Sequence, residues 1–460
     1  MRYVSTRGQA PVLNFEQAML TGLARDGGLY LPETIPAFDG IEALDGLPYD
    51  EVAFRVIRPF TGDSFSDDEL RGAIMRAYAG FAHVARAPLK QLAPGHHLLE
   101  LFHGPTLAFK DFAMQLIAQL FQIALKRSGQ RITIVGATSG DTGSAAIEAF
   151  RGIDNVDVFI MYPHGRVSEV QRRQMTTPPA PNVHALAMTG HFDDCQARLK
   201  DLFNDHAFRD RVGLAGVNSI NWARIVAQIV YYFTAAATLG APARQIDFAV
   251  PTGNFGDIFA GSIARAMGLP IRRLIVATNQ NDILHRALSS GEYRMGRVEP
   301  SISPSMDIQV SSNFERALYL AYGGDAGAIR QLMDEMKSGG FTLSQGVLDT
   351  LRGQYASGRV SEDETLAMIR TIRDETGDIL CPHTAVGVHV ARRHLEPGVP
   401  MVTLATAHPA KFPDAVARAV GARPALPPHM ADLFDLPERI SRVENDAEAL
   451  KSLILERRTA

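Results

Sequence analysis

Cysteine is scarce in this sequence, with only Cys195 and Cys381 among 460 residues. Two thiols cannot build a disulfide framework or a zinc cage. Buried, reduced thiols are the ordinary state of such residues in the cytoplasm. The cysteine content therefore argues against a small disulfide-stapled secreted domain and predicts a cytoplasmic protein.

Long hydrophobic runs and an excess of charge are also missing. No stretch reaches the ~20 apolar residues of a membrane span. The opening residues, MRYVSTRGQAPVLNF, contain no apolar segment typical of a secretory signal. Lys and Arg total 46 against 50 Asp and Glu, a net charge of −4. This balance argues against nucleic-acid or membrane partners bound through bulk charge, and it leaves a local anion site open.

Helical patterns dominate the first part of the chain. The segments FEQAMLTGL (15–23), EVAFRVIRPF (51–60) and DDELRGAIMRAYAGF (67–81) are typical of short helices, and RDGGLYLPE between them indicates a turn into an extended piece. Strand patterns are rare here. We therefore predict a mainly helical N-terminal domain over residues 1–95.

Strand and helix patterns alternate from residue 98 onward. β-rich runs such as RITIVGA (131–137) and VDVFIMYP (156–163) are each followed by a helical pattern. This alternation predicts an α/β fold with mostly parallel sheets and right-handed crossovers. Such sheets bind ligands at the carboxyl ends of their strands. Three loops in that position are therefore of interest: TSGDTGS (138–144), PTGNFGD (251–257) and TAHPAK (406–411).

Two of these loops have the composition of anion sites. In PTGNFGD, Gly253 and Gly256 allow close backbone approach, and the helix that follows directs free N–H groups toward a phosphate. TSGDTGS offers hydroxyls at a helix start, although it matches neither the Walker pattern nor G-x-G-x-x-G. A plain strand-to-helix turn for the first loop and an N-cap for the second remain open.

Lys110 stands in the nearly uncharged segment LFHGPTLAFKDFAMQ (101–115). One interpretation is a lysine whose long stem carries its amine to water. The other is a Schiff-base lysine, because burial disfavours the ammonium form and frees the amine as a nucleophile. A Schiff-base lysine together with a separate phosphate loop is the combination that pyridoxal phosphate requires.

The segment HGPTLAFKDFAMQ resembles the cofactor-lysine segment of the threonine synthase family, in the branch found in many bacteria and fungi. Further segments agree in family order over most of the chain: YVSTRG, LTGLARDGGLYLPE (20–33), GATSGDTGSAA (136–146), VNSINWARI (217–225), PTGNFGDIFAG (251–261), SSNFERALY (311–319) and LATAHPAKFP (404–413). The resemblance implies pyridoxal 5'-phosphate as cofactor. It also implies the two-lobed fold type II of such enzymes, which is tryptophan synthase β-like, with an N-terminal extension.

The same resemblance implies a domain organisation. We expect a two-lobed catalytic region over residues 96–460, with the smaller lobe at about 110–210 and a helical tail at about 430–460. A monomer without an N-terminal regulatory extension is expected.

The resemblance also assigns roles to individual residues. Lys110 matches the lysine that holds the cofactor, and Thr406 matches the hydroxyl at its ring nitrogen. The cofactor-phosphate loop is matched by Gly253, Asn254, Phe255, Gly256 and Asp257. The loop that receives the substrate carboxylate is matched by Ser139, Gly140, Asp141 and Thr142. Related enzymes often have Asn in place of Asp141, bonded to the phenolate oxygen of the cofactor, and an ionised Asp cannot donate that bond.

The phosphate of the substrate needs a cationic partner of its own. Arg316 and Lys411 are the preferred candidates, because both lie in segments that resemble the family, and Arg166 is a third. Ser312 and Asn313 are expected to add neutral donors. His191, Asp193 and Asp194 resemble metal ligands in spacing, but we interpret them as a helix start and predict no metal site.

The activity implied is that of threonine synthase, the last step of threonine biosynthesis. It comprises γ-elimination of phosphate from O-phospho-L-homoserine and β-addition of water to give L-threonine, with Lys110 as the main acid and base. One alternative is a phospholyase-like relative that releases phosphate and ammonia from another phosphorylated amino alcohol. A dehydratase is disfavoured because PTLAFKDF is not the dehydratase lysine motif. A non-catalytic relative that binds phosphorylated metabolites and an unrelated nucleotide-binding enzyme are the alternatives from other classes.

Overall fold

The computed structural model describes residues 1–459. Its N-terminal part is mainly helical, with one pair of short strands. The elements are β1 (Tyr3–Ser5), α1 (Phe15–Thr21), β2 (Tyr30–Pro32), α2 (Tyr49–Thr61) and α3 (Asp67–Tyr78). Capping boxes from Asn14 and Ser66 start α1 and α3, because each side chain accepts the N–H of the third helical residue. The three predicted N-terminal helices are confirmed.

The next part of the chain alternates between strand and helix. Its elements are β3 (Leu89–Ala93), β4 (His96–Glu100), α4 (Lys110–Ser128), β5 (Ile132–Ala137), α5 (Asp141–Phe150), β6 (Val156–Pro163), α6 (Glu169–Thr176), β7 (Val183–Met188), α7 (Phe192–Asn204), α8 (His206–Val212) and β8 (Leu214–Ala215).

The remaining part continues the alternation with longer helical insertions. Its elements are α9 (Trp222–Thr238), β9 (Ile246–Pro251), α10 (Gly256–Ala266), β10 (Ile271–Thr278), α11 (Ile283–Ser290), β11 (Glu292–Arg294), α12 (Phe314–Ala321), α13 (Ala326–Lys337), β12 (Gly340–Thr342), α14 (Gln345–Arg352), β13 (Tyr355–Arg359), α15 (Glu362–Thr376), α16 (Pro382–Arg392), β14 (Met401–Ala405), α17 (Pro413–Val420), β15 (Ser441–Val443) and α18 (Ala447–Arg457).

Two mostly parallel sheets organise these elements. The larger has the strand order β13-β10-β9-β14-β4-β3, and only the β3–β4 pair in it is antiparallel. The smaller has the order β15-β7-β6-β5-β8 and is parallel throughout. Every residue of β5, β6 and β9 is buried. Helices therefore cover both faces of these strands, as parallel sheets require.

The N-terminal part packs directly onto the larger sheet and its helices. One hydrophobic core extends from Tyr3 to Leu404 and includes α2, α3, α4 and α9. Trp222 of α9 lies against the rings of Tyr3 and Phe60, with centroids 6.1 and 6.0 Å away. The predicted boundary at residue 95 stays a prediction, since this core crosses it without a break.

The end of the chain contains a strand that the sequence did not predict. β15 pairs with β7 at the edge of the smaller sheet, and α18 follows it. The expected tail at about 430–460 is thus not purely helical. Among residues 1–459, no helix combines the length and the apolar character needed to cross a membrane.

Candidate active site

The three predicted loops lie at the carboxyl ends of their strands, and Lys110 lies at the start of the helix that follows β4. Residues 138–140 follow β5, residues 252–255 follow β9, and residues 406–408 follow β14. Lys110 is the first residue of α4, and its segment is tied to the last of these loops. The Phe109 N–H donates to the Thr406 carbonyl at 2.8 Å, and Ala108 forms a bridge with Ala407. The segment that carries Lys110 is thus held against the loop that follows β14.

The turn before Lys110 is fixed by the buried carboxylate of Asp111. It accepts the Thr106 N–H at 2.8 Å and the Thr106 hydroxyl at 2.6 Å. Gly104 is required here, because a Cβ at this position would lie 2.5 Å from the Asp111 Cβ. Burial raises the pKa of Asp111 to about 6, and the bonds from Thr106 oppose that rise. The start of α4 is therefore rigid, and it gives the Lys110 side chain a defined direction.

Lys110 is a buried residue, only 9% exposed. Its Nζ lies 3.6 Å from Oδ2 of Asp141. Burial is the largest cause that lowers the pKa of Lys110, to about 8; Asp141 opposes this shift, and Arg224 and Lys411 add to it. A substantial fraction of the amine is therefore unprotonated slightly above neutral pH, as a nucleophilic lysine requires.

Asp141, the first residue of α5, collects donors from both lobes. Its Oδ1 lies 3.0 Å from Lys411 Nζ and accepts a hydrogen bond from Gln171 at 2.9 Å. The Ser305 hydroxyl donates to Oδ2 at 3.4 Å. Burial alone would raise the pKa of Asp141, but Lys411 and Lys110 outweigh it and hold that pKa well below its usual range. Asp141 is therefore an ionised acceptor and cannot act as a donor.

The loop around Asp141, predicted to receive the substrate carboxylate, is held by Thr138. Its hydroxyl accepts the N–H groups of Gly140 and Gly143, both at 2.9 Å. Gly140 has a φ of +134°, and a Cβ there would lie 2.3 Å from the Gln171 side chain. Ser139 and Thr142, on either side of Asp141, are partly exposed. These two hydroxyls are therefore accessible to a ligand at the start of α5.

The glycine loop after β9 forms a tight cradle. A Cβ on Gly253 would lie 2.5 Å from the Ser305 carbonyl oxygen. Phe255 has a φ of +62°, an uncommon conformation for a non-glycine residue. The buried Phe255 ring packs between the rings of Phe314 and Tyr355, and each centroid lies 5.2 Å from that of Phe255. α10 begins at the next residue, so the free N–H groups of its first turn are directed at this loop, an arrangement that favours anions.

Asp257 and Thr406 are both buried beside these loops, and Asn254 is exposed at the tip of the glycine loop. The Asp257 carboxylate accepts the hydroxyls of Tyr231 and Tyr232 of α9, at 2.6 and 3.0 Å. Burial raises its pKa to about 6, and the two tyrosines oppose the rise. The side chain of Asp257 therefore anchors the loop to α9.

Arg316, a predicted phosphate clamp, is engaged within the protein. The residue is fully buried, and its guanidinium donates to the carbonyls of Tyr30 and Ile220 and to the Asn313 side chain. The Asn313 amide in turn donates to the carbonyls of Ser219 and Asn254. The Asn313 side chain thus supports the glycine loop, and Arg316 holds Asn313 in place. That these two residues bind the substrate phosphate stays a prediction.

Lys411 is also engaged within the protein. Besides Asp141, its Nζ donates to the Thr106 carbonyl at 2.6 Å and lies 3.4 Å from the Ser144 hydroxyl. Lys411 is fully buried and has three partners among the described residues, so its role as a phosphate clamp stays a prediction. Ser312 is partly exposed beside Asn254, and Arg166 is exposed in the turn after β6.

Arg224 is the functional candidate that the sequence analysis did not assign. It lies in the first turn of α9 and is 2% exposed, yet its Nε and Nη1 have no hydrogen-bond partner within residues 1–459. Burial lowers its pKa to about 10, whereas Tyr231 and Asp257 act in the opposite direction. The signal was present in the sequence, because Arg224 is the only charged residue between Arg211 and Arg244.

The residues present fit pyridoxal phosphate in three respects. Lys110 offers a buried amine of lowered pKa for the aldehyde. The backbone at Gly253–Gly256 offers a cradle that a side chain would fill. Thr406 places a hydroxyl at the end of β14, next to the Lys110 segment. No group of three or more metal-ligating side chains occurs among the described residues.

Comparison with known proteins agrees with this site. Three family models match: threonine synthase N terminus at residues 2–78, pyridoxal-phosphate dependent enzyme at 87–331, and threonine synthase, C-terminal at 384–454. The threonine synthase of Pseudomonas aeruginosa is 54% identical, with 99% of this chain and 98% of that protein covered.

Two solved structures extend the agreement to the fold. A crystal structure of PLP-bound threonine synthase from Brucella melitensis is 55% identical, with a TM-score of 0.97 and 100% of both chains covered. The yeast threonine synthase structure is 40% identical, with a TM-score of 0.93 over 99% of this chain and 98% of that one. The predicted fold type II is confirmed. The chain belongs to the threonine synthase family of pyridoxal-phosphate-dependent enzymes.

Proposed function

We propose that this protein converts O-phospho-L-homoserine and water into L-threonine and phosphate, with pyridoxal 5'-phosphate as cofactor. The observation that carries the proposal is the buried Lys110 amine of lowered pKa beside the substrate loop, in a chain that matches threonine synthase over its full length. The cofactor, when bound, supplies an aldehyde for Lys110 and a ring that stabilises negative charge on the substrate.

Lys110 has the properties of the acid and base that this reaction needs. Its pKa of about 8 lies close to neutral pH, so the amine can both accept and return a proton. Its low exposure keeps bulk water from competing for that proton. Ser139 and Thr142, with the N–H groups at the start of α5, would bind the carboxylate of the substrate.

Arg224 replaces Arg316 and Lys411 as the proposed partner of the substrate phosphate. Its buried Nε and Nη1 lack partners among residues 1–459, and an unpaired buried guanidinium is costly unless an anion fills the site. Arg224 also helps to lower the pKa of Lys110, as a cation within Coulombic range does. A phosphate bound to Arg224 would therefore lie near the proton-transferring amine.

The first experiment measures phosphate and threonine together, after mixing cofactor-loaded protein with O-phospho-L-homoserine. We expect equal amounts of both products, and their loss in Lys110→Ala. Lys126→Ala is the matched control, because Lys126 lies exposed on the same helix and should not matter. The proposal fails if wild-type protein forms neither product, or if Lys110→Ala retains full activity.

The phospholyase-like alternative predicts a different outcome from the same assay. It would give phosphate, ammonia and a keto acid without threonine, from this or another phosphorylated amino alcohol. A non-catalytic relative would bind the substrate and release nothing. The intact Lys110 and glycine loop favour the synthase over this last alternative.

We further infer that the protein acts as a monomer in the cytoplasm. The two cysteines are buried free thiols, which suits a reducing compartment. Sedimentation analysis of the cofactor-loaded protein tests the monomer, and a concentration-independent larger species would contradict it.

A further inference from the structure

Asp141 is shared between two buried lysines. Its Oδ1 lies 3.0 Å from Lys411 Nζ, whereas its Oδ2 lies 3.6 Å from Lys110 Nζ. The shorter contact therefore belongs to Lys411, which the reaction proposed above does not use. Hydrogen bonds from Lys411 Nζ to the Thr106 carbonyl and the Ser144 hydroxyl hold the ammonium group in place.

The shared carboxylate decides how strongly Lys110 holds its proton. A carboxylate next to one amine alone stabilises the ammonium form of that amine. Here a second cation engages the same carboxylate at a shorter distance, and low exposure keeps solvent from screening either pair. Asp141 is consequently less available to Lys110 than it would be without Lys411.

We propose that Lys411 is a positioning residue for Lys110: by holding Asp141, it prevents the carboxylate from locking Lys110 as an ammonium ion. The inference rests on the function proposed for Lys110. It gives Lys411 a part in the reaction that requires no contact with substrate.

The other groups that face Lys110 do not replace Lys411 in this role. Arg224 of α9 is a cation, but the structure gives no ion pair between it and Asp141 within residues 1–459. His383 of α16 accepts the Ser305 N–H at Nε2, at 3.2 Å. Burial lowers the pKa of His383 to about 4, so it is neutral at the pH of interest. Among residues 1–459, Asp141 is therefore the only anion of the charged groups that act on Lys110.

The test measures how fast Lys110 condenses with pyridoxal 5'-phosphate as a function of pH. Full-length protein freed of cofactor is mixed with pyridoxal phosphate, reduced with borohydride and analysed for modified Lys110 by mass spectrometry. The unprotonated amine attacks the aldehyde carbon, a C=N bond forms, and both amine protons leave with the carbonyl oxygen as one water molecule. The rate therefore rises with pH, with a midpoint near 8 expected for wild type.

Variants at Lys411 should move that midpoint. We expect Lys411→Met to raise the midpoint by about one pH unit, because the released Asp141 carboxylate then stabilises the ammonium form of Lys110. Lys411→Gln should act in the same direction. It retains a donor for the Thr106 carbonyl, so it can replace the Met variant if that variant fails to fold. Lys411→Arg, which keeps the charge, should leave the midpoint near that of wild type.

A double variant separates charge from structure. Adding Asp141→Asn to Lys411→Met removes the carboxylate, so the midpoint should return to the wild-type value or below. A merely structural role for Lys411 would not be rescued in this way. An unchanged midpoint in both Lys411→Met and Lys411→Gln, or no return in the double variant, would overturn the inference. If Lys110 stays unmodified in the wild-type protein, the function proposed for Lys110 is itself wrong.

Discussion

Arg224 combines near-complete burial with a guanidinium that lacks partners on Nε and Nη1 within the described residues. A charged hydrogen bond is worth about 1.5–3 kcal/mol, which corresponds to about 10- to 100-fold in binding. We therefore expect Arg224→Gln to raise the KM for O-phospho-L-homoserine by at least about tenfold. Steady-state kinetics measure this change, and cofactor titration of the same variant should give an unaltered Kd.

Arg166→Gln is the matched control, because Arg166 is exposed and was an alternative candidate for the same phosphate. Its KM should stay close to that of wild type. If Arg224→Gln weakens cofactor binding and leaves KM unchanged, Arg224 serves the cofactor phosphate and the present assignment is wrong.

For individual residues, the sequence indicated isolated charges as functional candidates, but it did not indicate the hydrogen-bond partners of buried cations. Lys110 was identifiable because it stands alone in an apolar segment, and Arg224 offered the same signal. The acceptors of Arg316, the carbonyls of Tyr30 and Ile220, come from distant parts of the chain and were not predictable from its motif. Which acceptors surround a buried cation is set by tertiary packing, which the spacing of residues within one motif does not reveal.

The glycine loop between β9 and α10 keeps its shape because Gly253 has no side chain. A Cβ on Gly253 would lie 2.5 Å from the Ser305 carbonyl, a backbone atom that cannot rotate away. We therefore expect Gly253→Ala to displace the loop and weaken binding of pyridoxal phosphate by at least about tenfold. Absorbance titration of cofactor-free protein measures the effect.

Gly346→Ala provides the comparison for that variant. Gly346 lies in helix α14, and a Cβ there would meet nothing within 4 Å. Alanine should therefore leave cofactor binding unchanged and stabilise the helix by about 0.5–1 kcal/mol. Equal cofactor affinity for Gly253→Ala and Gly346→Ala would contradict the proposed cradle.

Elements with a strong hydrophobic pattern were predictable, and short edge elements were not. β5, β6 and β9 are apolar runs bounded by turns, and the structure confirms them as buried strands. β15 has three residues, of which only Val443 is buried. Its pairing with β7 is a long-range contact, so no local period in the sequence could have indicated it.

For the whole molecule, the continuous core couples the N-terminal part to the larger lobe. The single tryptophan, Trp222, lies at this junction against Tyr3 and Phe60. Arg7 strengthens the same junction through an ion pair with Glu315 at 3.0 Å. We expect tryptophan fluorescence and far-UV circular dichroism to report the same thermal midpoint. A fluorescence transition at a distinctly lower temperature would show that the N-terminal part separates first.

β15 also has a consequence for how the protein is made. The smaller sheet combines strands from residues 132–215 with a strand at 441–443. During synthesis, the outer edge of β7 therefore waits for more than two hundred further residues before its neighbour leaves the ribosome. An unpaired strand edge can join another chain. The nascent polypeptide thus exposes an unpaired edge of β7 until residues 441–443 are made, and we expect association through this edge to compete with folding at that stage.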